Sequence, residues 1–108
     1  MRASLSPAAA QLLRSLLART GLGRDRVLIA AFRSVDWQSL TFTGERHEIS
    51  LRIPGPDAAH AAALLRDGLA EAEWPLTGHV VVDILIVAER EASDGAMLVD
   101  LEALTLSD

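Results

Sequence analysis

His47 is the residue whose type and setting come nearest to chemistry. It directly follows Gly44-Glu45-Arg46, and Asp36-Trp37 lies across the probable hairpin. A histidine between a carboxylate and an arginine, beside glycine-relaxed backbone, has the parts of a general acid/base. The sequence holds no evident nucleophile or metal partner to complete such a site. The preferred reading is therefore that His47 closes the core edge, hydrogen-bonded to Glu45 or to a backbone carbonyl. Trp37, Glu45, Arg46 and His47 are kept as candidate ligand-binding residues around a pocket bounded by the first helix, and no residue is assigned a catalytic role.

The other reactive side chains are scattered. His60 belongs to a helix. His79 and Asp83 share a strand face about 13 Å apart, too far to chelate together. With no H-x-x-x-H or similar spacing, no metal site is expected. Asp83, Asp100 and Glu102 would serve acid/base work only if burial separated their pKa values, and a hard cation needs six or more oxygens from a shaped loop. They are read as a solvated face, or as partners of Arg33, Arg46 or Arg52 on neighbouring strands. The absence of cysteine excludes disulfides, thiolate catalysis and cysteine-ligated metals. Dinucleotide, phosphate-loop, nucleophile-elbow and kinase signatures are all missing, so no cofactor is expected.

Charge narrows the partners. Fifteen acidic residues against ten arginines give a net charge of -5, and only 4% of residues are aromatic. Both facts oppose nucleic-acid binding, which depends on phosphate neutralisation and base stacking. Arg24, Arg26, Arg33, Arg46 and Arg52 make the first half mildly basic while most acids lie in the second, an asymmetry suited to pairing between subunits. No run approaches the roughly 18–20 apolar residues of a membrane span, and Ser6, Pro7, Gln11 and Arg14 interrupt any signal-like start. A soluble cytoplasmic protein with no membrane partner is expected. All basic residues are Arg, Lys, Asn and Tyr are absent, and Ala and Leu occur eighteen times each. This bias predicts a bacterial, high-GC source, so the arginines are not read as selected for phosphate or carboxylate recognition.

With 50% apolar and 23% charged residues, the chain has the apolar surface to fold, and its length fits one domain over residues 1–108. Ser6-Pro7 is a helix start and Gly21 a helix stop. Between them Ala9, Leu13, Leu16, Leu17 and Thr20 form an apolar stripe. Gly23-Arg24-Asp25 reads as a connector and Val27 to Ser34 as a strand. A longer extended run covers Ser39 to Ile53, with His47, Ile49, Leu51 and Ile53 on one side. Leu40 and Phe42 have the opposite parity, so a bulge or turn is predicted at Gly44. Pro54-Gly55-Pro56-Asp57 opens a second helix, ending near Glu73-Trp74, with Ala58, Ala61, Ala62, Leu65, Leu69 and Ala72 inward. Gly78 to Glu91 and Ala96 to Ser107 form a hairpin around Asp94-Gly95. The order αββαββ predicts an α+β two-layer sandwich, with both helices on one face of a mainly antiparallel four-stranded sheet, ferredoxin-like in spirit.

The last hairpin carries the functional expectation. Val80, Val82, Ile84, Ile86 and Ala88 beside Met97, Val99, Leu101 and Ala103 should face the helices. On the other side Val81, Leu85, Val87, Leu98, Leu104 and Leu106 mix with His79, Asp83, Glu89, Asp100 and Glu102; with the turn centred on Ser93-Asp94, Leu85 falls opposite Glu102 and Val87 opposite Asp100. Large aliphatics on a solvated sheet face mark an association surface unless a loop or the long 39–53 segment folds over them. These six aliphatics are the candidate interface, most simply of a two-fold homodimer. The first reading is a non-enzymatic, homo-oligomeric interaction or accessory module, open to a further protein partner. The alternative is a small-ligand-binding protein or enzyme with its pocket near Trp37 and His47.

Overall fold

The computed structural model describes residues 5–23 and 26–107. The extreme N-terminus and the Arg24-Asp25 part of the expected connector lie outside the described residues. Helix α1 spans Pro7–Arg19, strands β1 and β2 span Leu28–Gln38 and Thr43–Ile53, helix α2 spans Ala58–Arg66, and strands β3 and β4 span His79–Glu91 and Met97–Ser107. The four strands form one antiparallel sheet in the order β1-β2-β4-β3. Each hairpin contributes one central and one edge strand. The fold is α+β, with both helices against the same sheet face.

Local signals explain the helix limits. The Ser6 hydroxyl accepts from the Ala9 amide at 3.1 Å, and Pro7 has no N–H to leave unpaired. At the other end the Thr20 hydroxyl donates to the Leu17 carbonyl at 2.7 Å, and Gly21 takes φ 74°. Helix α2 is shorter than its apolar stripe suggests. Gly68, at φ 63°, breaks the helical path, and Leu69–Glu71 continues as a 3-10 turn that still buries Leu69. Arg19 ties the helices together, donating to the Leu65 and Asp67 carbonyls while its guanidinium lies 5.8 Å from the centre of the Trp74 ring.

The core lies between layers. Leu12, Leu13, Leu16 and Leu17 of α1 and Ala58, Ala61, Ala62 and Leu65 of α2 meet Ile49, Leu51 and Ile53 of β2 and Val99, Leu101 and Ala103 of β4. The alanines of α2 keep that helix close to the sheet. Burying each large aliphatic contributes about 1.5–3 kcal/mol, which makes β2 and β4 the spine of the fold.

The strands depart from simple alternation at different places from those the sequence suggests. Residues 39–42 form the β1–β2 turn, closed by a Ser39 N–H donated to the Phe42 carbonyl at 2.9 Å. Leu40 and Phe42 thus lie outside the paired strand and no face has to be reset. Gly44 pairs in regular register with Trp37 on one side and Leu106 on the other. The register instead shifts at Ala30 in β1 and at Val82 and Val87 in β3. Each extra residue reverses the parity of what lies beyond it. Ile84 and Ile86, between the two β3 bulges, face the helices as expected. Val80 and Ala88 do not, since they pair with Leu106 and Asp100 on the outer face, and Val82 stands exposed at the bulge itself.

Candidate functional site

Two regions gather the residues singled out above. The first is polar and lies at the end of the sheet beside the start of α1. Here Asp36 of β1, Glu45 of β2 and Thr105 of β4 stand side by side in register. With Trp37, His79 and the α1 cap Ser6 they line a cavity of about 500 Å³. The Ser6 hydroxyl donates to Glu45 Oε1 at 2.7 Å, so one side chain caps the helix and anchors a strand carboxylate. His79 reaches this cavity because the Val82 bulge turns the start of β3 toward the helices, and not outward as simple alternation implies.

His47 lies beneath that cavity and is fully buried. Its Nδ1 is 2.7 Å from Ser34 Oγ and its Nε2 is 2.9 Å from Thr105 Oγ1. A neutral imidazole has one donor and one acceptor nitrogen, so one hydroxyl donates to the ring and the other accepts from it. Phe32 closes the remaining side edge-on, with ring centroids 6.1 Å apart. These contacts replace the Glu45 or backbone partner expected from sequence and tie β1, β2 and β4 together. Burial holds the imidazole below its ordinary pKa, with neighbouring Glu45 opposing that shift and His79 adding to it.

A pH dependence follows. Because the native pKa is depressed, the neutral ring's contribution is complete above the unfolded value of about 6.5 and is lost as pH falls from there through the native value. Urea unfolding of the wild type at pH 7.5 and pH 5 should show a lower midpoint at the acidic value. His47→Gln, which keeps a donor and an acceptor but does not titrate, should narrow the difference. An unchanged difference would mean that His47 does not carry it. Asp94 acts in a separate, more acidic range, its carboxyl held low by the Ala96 amide and by Arg52.

Arg46 does not join the cavity. It lies on the opposite sheet face, paired with Leu104 and Val35, and is exposed. Of the four candidate ligand-binding residues, the structure brings Trp37 and Glu45 to one cavity, buries His47 below it and places Arg46 on the far side. The hydroxyls of Ser34 and Thr105 are the partners that sequence reasoning missed. For Thr105 the signal was present in the parity of β4, where it continues the inward set of Met97, Val99, Leu101 and Ala103; β1 is apolar on both faces, so parity marked no inward side for Ser34.

The second region is the outer sheet face. Leu85 is 43% exposed and sits directly opposite Glu102, as the alternating pattern predicts. Leu98, Leu104 and Leu106 share this face and are half-buried. Val87 occupies a bulge and is exposed. Val81 does not share this face as expected: it precedes the Val82 bulge, pairs with Thr105 on the inner face and packs against the core. Val80 takes its place outside, exposed and paired with Leu106. The long 39–53 segment does not fold over the face, because from Thr43 onward it is strand β2 within the sheet.

The charges of this face fall into two halves. Arg33, Arg46, Arg52 and Glu48 lie on β1 and β2, whereas Asp83, Asp100, Glu102 and Arg90 lie on β3 and β4. Arg33 pairs with Glu48 at 3.0 Å and Arg52 with Asp94 in the β3–β4 turn. Among the described residues, Arg46, Asp83, Asp100 and Glu102 have no ion-pair partner. The expected neighbouring-strand pairs therefore do not form. No group of three or more metal-ligating side chains occurs among the described residues, and no helix among them is long and apolar enough to cross a membrane. No protein-family model, curated protein or solved structure matches the chain.

Proposed function

We propose that the chain works by self-association through its outer sheet face, as a homo-oligomeric interaction or accessory module without catalytic activity, to which a further protein partner can add. The observation that carries this reading is the asymmetry of the sheet: one face is covered by two helices, while the other bears Val80, Leu85, Leu98, Leu104 and Leu106 with no described segment over them. Contiguous exposed aliphatics of this kind are uncommon on a free surface. The high-GC bacterial origin, the cytoplasmic setting and the likeness in spirit to ferredoxin-like sandwiches belong to the same proposal.

Solution mass tests it. Light scattering at tens of micromolar should give about twice the 11.6 kDa chain mass. Leu85→Glu would set a carboxylate directly beside Glu102 among the aliphatics of this face and should weaken association about 100-fold or more, equivalent to about 3 kcal/mol. A wild type at single-chain mass would overturn the proposal, as would a Leu85→Glu variant that remains fully associated. A second reading, as a small-ligand-binding protein, rests on the cavity lined by Trp37 and Glu45. It requires a ligand whose thermal stabilisation of the wild type is lost in Glu45→Gln.

A further inference from the structure

The two charge halves indicate how a second copy would sit. This inference rests on the proposed self-association and adds its geometry. The β1–β2 half of the outer face carries three arginines and one glutamate, and the β4–β3 half carries three acids and one arginine. The halves thus have formal charges of +2 and -2, separated by the line between β2 and β4. Face-to-face packing of two identical sheets about a two-fold axis permits two extreme arrangements. An axis across the strands lays each half over its own copy, basic on basic and acidic on acidic. An axis along the strands, between β2 and β4, lays each half over its opposite.

We propose that this chain forms a two-fold dimer by packing its outer sheet faces about an axis parallel to the strands, with the arginine-bearing β1–β2 half of one copy over the acidic β4–β3 half of the other. The residues without partners favour this arrangement. Arg46 sits in one cross-strand row with Leu104 and Asp83, and the neighbouring row holds Glu102 and Leu85. Turned about the axis, Arg46 comes over Leu104 of the second copy, with Asp83 and Glu102 of that copy to either side. Leu85 comes beneath the aliphatic stem of Arg33, which can cover apolar surface while its charged end stays wet. The one like-charged meeting, Glu48 over Glu102, is flanked by Arg33 and Arg46. Aligned sheets pack at about -30°, so these neighbours interdigitate and do not stack atom on atom.

The size is sufficient. Four strands at about 4.8 Å spacing and about 3.3 Å per residue present a face of roughly 700 Å², close to the roughly 800 Å² per partner of a standard stable interface. The complementarity also sets orientation, because turning one copy by half a revolution about the sheet normal places like charges together.

Paired charge reversals test the axis. Arg33→Glu with Arg46→Glu makes the first half acidic, and Asp83→Arg with Glu102→Arg makes the second half basic. Alone, each double variant should associate at least 10-fold more weakly than the wild type. Mixed in equal amounts they should recover a dimer made of one chain of each, read directly by native mass spectrometry, with far-UV circular dichroism confirming that both are folded. A dimeric wild type whose variants stay dimeric alone, or do not recover on mixing, would overturn the axis and leave self-association standing. A monomeric wild type would overturn both.

Discussion

Gly44→Ala should destabilise the protein by about 3 kcal/mol, lowering Tm by about 15 °C, although the change adds only one methyl group. Gly44 does not have a positive φ, so the cost is one of space. A Cβ built there would stand 2.0 Å from the Thr105 carbonyl oxygen and 2.9 Å from Leu106 Cδ2. The oxygen belongs to the backbone of β4, a central strand, and can withdraw only if the β2–β4 pairing opens. Gly68→Ala provides the contrast. Its φ of 63° disfavours a side chain, but nothing lies within 4 Å, so a cost of about 1–2 kcal/mol is expected from conformation alone. Denaturant unfolding of both variants should place Gly44→Ala clearly lower. The reverse order would refute the close approach of β4 to β2.

His47→Ala should cost about 4 kcal/mol, combining the lost packing of a fully buried ring with a buried hydroxyl left unpaired. Thr105 is 1% exposed, and among the described residues His47 is the hydrogen-bond partner of its hydroxyl. Replacing the whole polar cluster is a different matter. His47→Leu combined with Ser34→Ala and Thr105→Val removes every group that needs satisfying, and should recover most of the stability that His47→Ala loses. Urea unfolding reads both. If His47→Ala costs less than about 1 kcal/mol, or if the apolar combination is no better, the cluster does not act as a structural hub.

Much of the layout was legible because its signals are local. Ser6-Pro7 and Gly21 bound α1 through caps that act within one turn, and period-2 alternation identified the inward side of β2 from His47 to Ile53. Leu85 opposite Glu102 followed from centring the turn on Ser93-Asp94, whereas Val87, placed opposite Asp100 on the same basis, falls at a bulge and Ala88 takes that pairing. What could not be read depends on distant backbone. The β3 bulges at Val82 and Val87 lie in a run of β-branched and aliphatic residues where any register looks equally apolar, so simple alternation puts Val80 and Ala88 inward and His79, Val81 and Glu89 outward, the reverse of their places in the sheet, where Glu89 pairs with Val99 and reaches Arg66 of α2. Gly44 resembled a bulge because the carbonyl that excludes its side chain comes from Thr105, 61 residues later. The polar cavity was visible only in part. Trp37 and Glu45 are near in sequence, but Ser6, His79 and Thr105 arrive from three other elements.

The bulges have a consequence for the fate of the chain at high concentration. All three register shifts fall on β1 and β3, the strands that end the sheet, and none falls between β2 and β4. A flat outer strand offers a row of free amides and carbonyls on which another chain can add, and then another, without limit. Local kinks disrupt that row, so edge-to-edge growth is obstructed on both sides while the face between remains smooth. A two-fold contact through the face closes on itself after two chains, whereas edge addition does not close. The placement of Ala30, Val82 and Val87 thus biases this apolar, β-rich chain away from open-ended, edge-to-edge fibres.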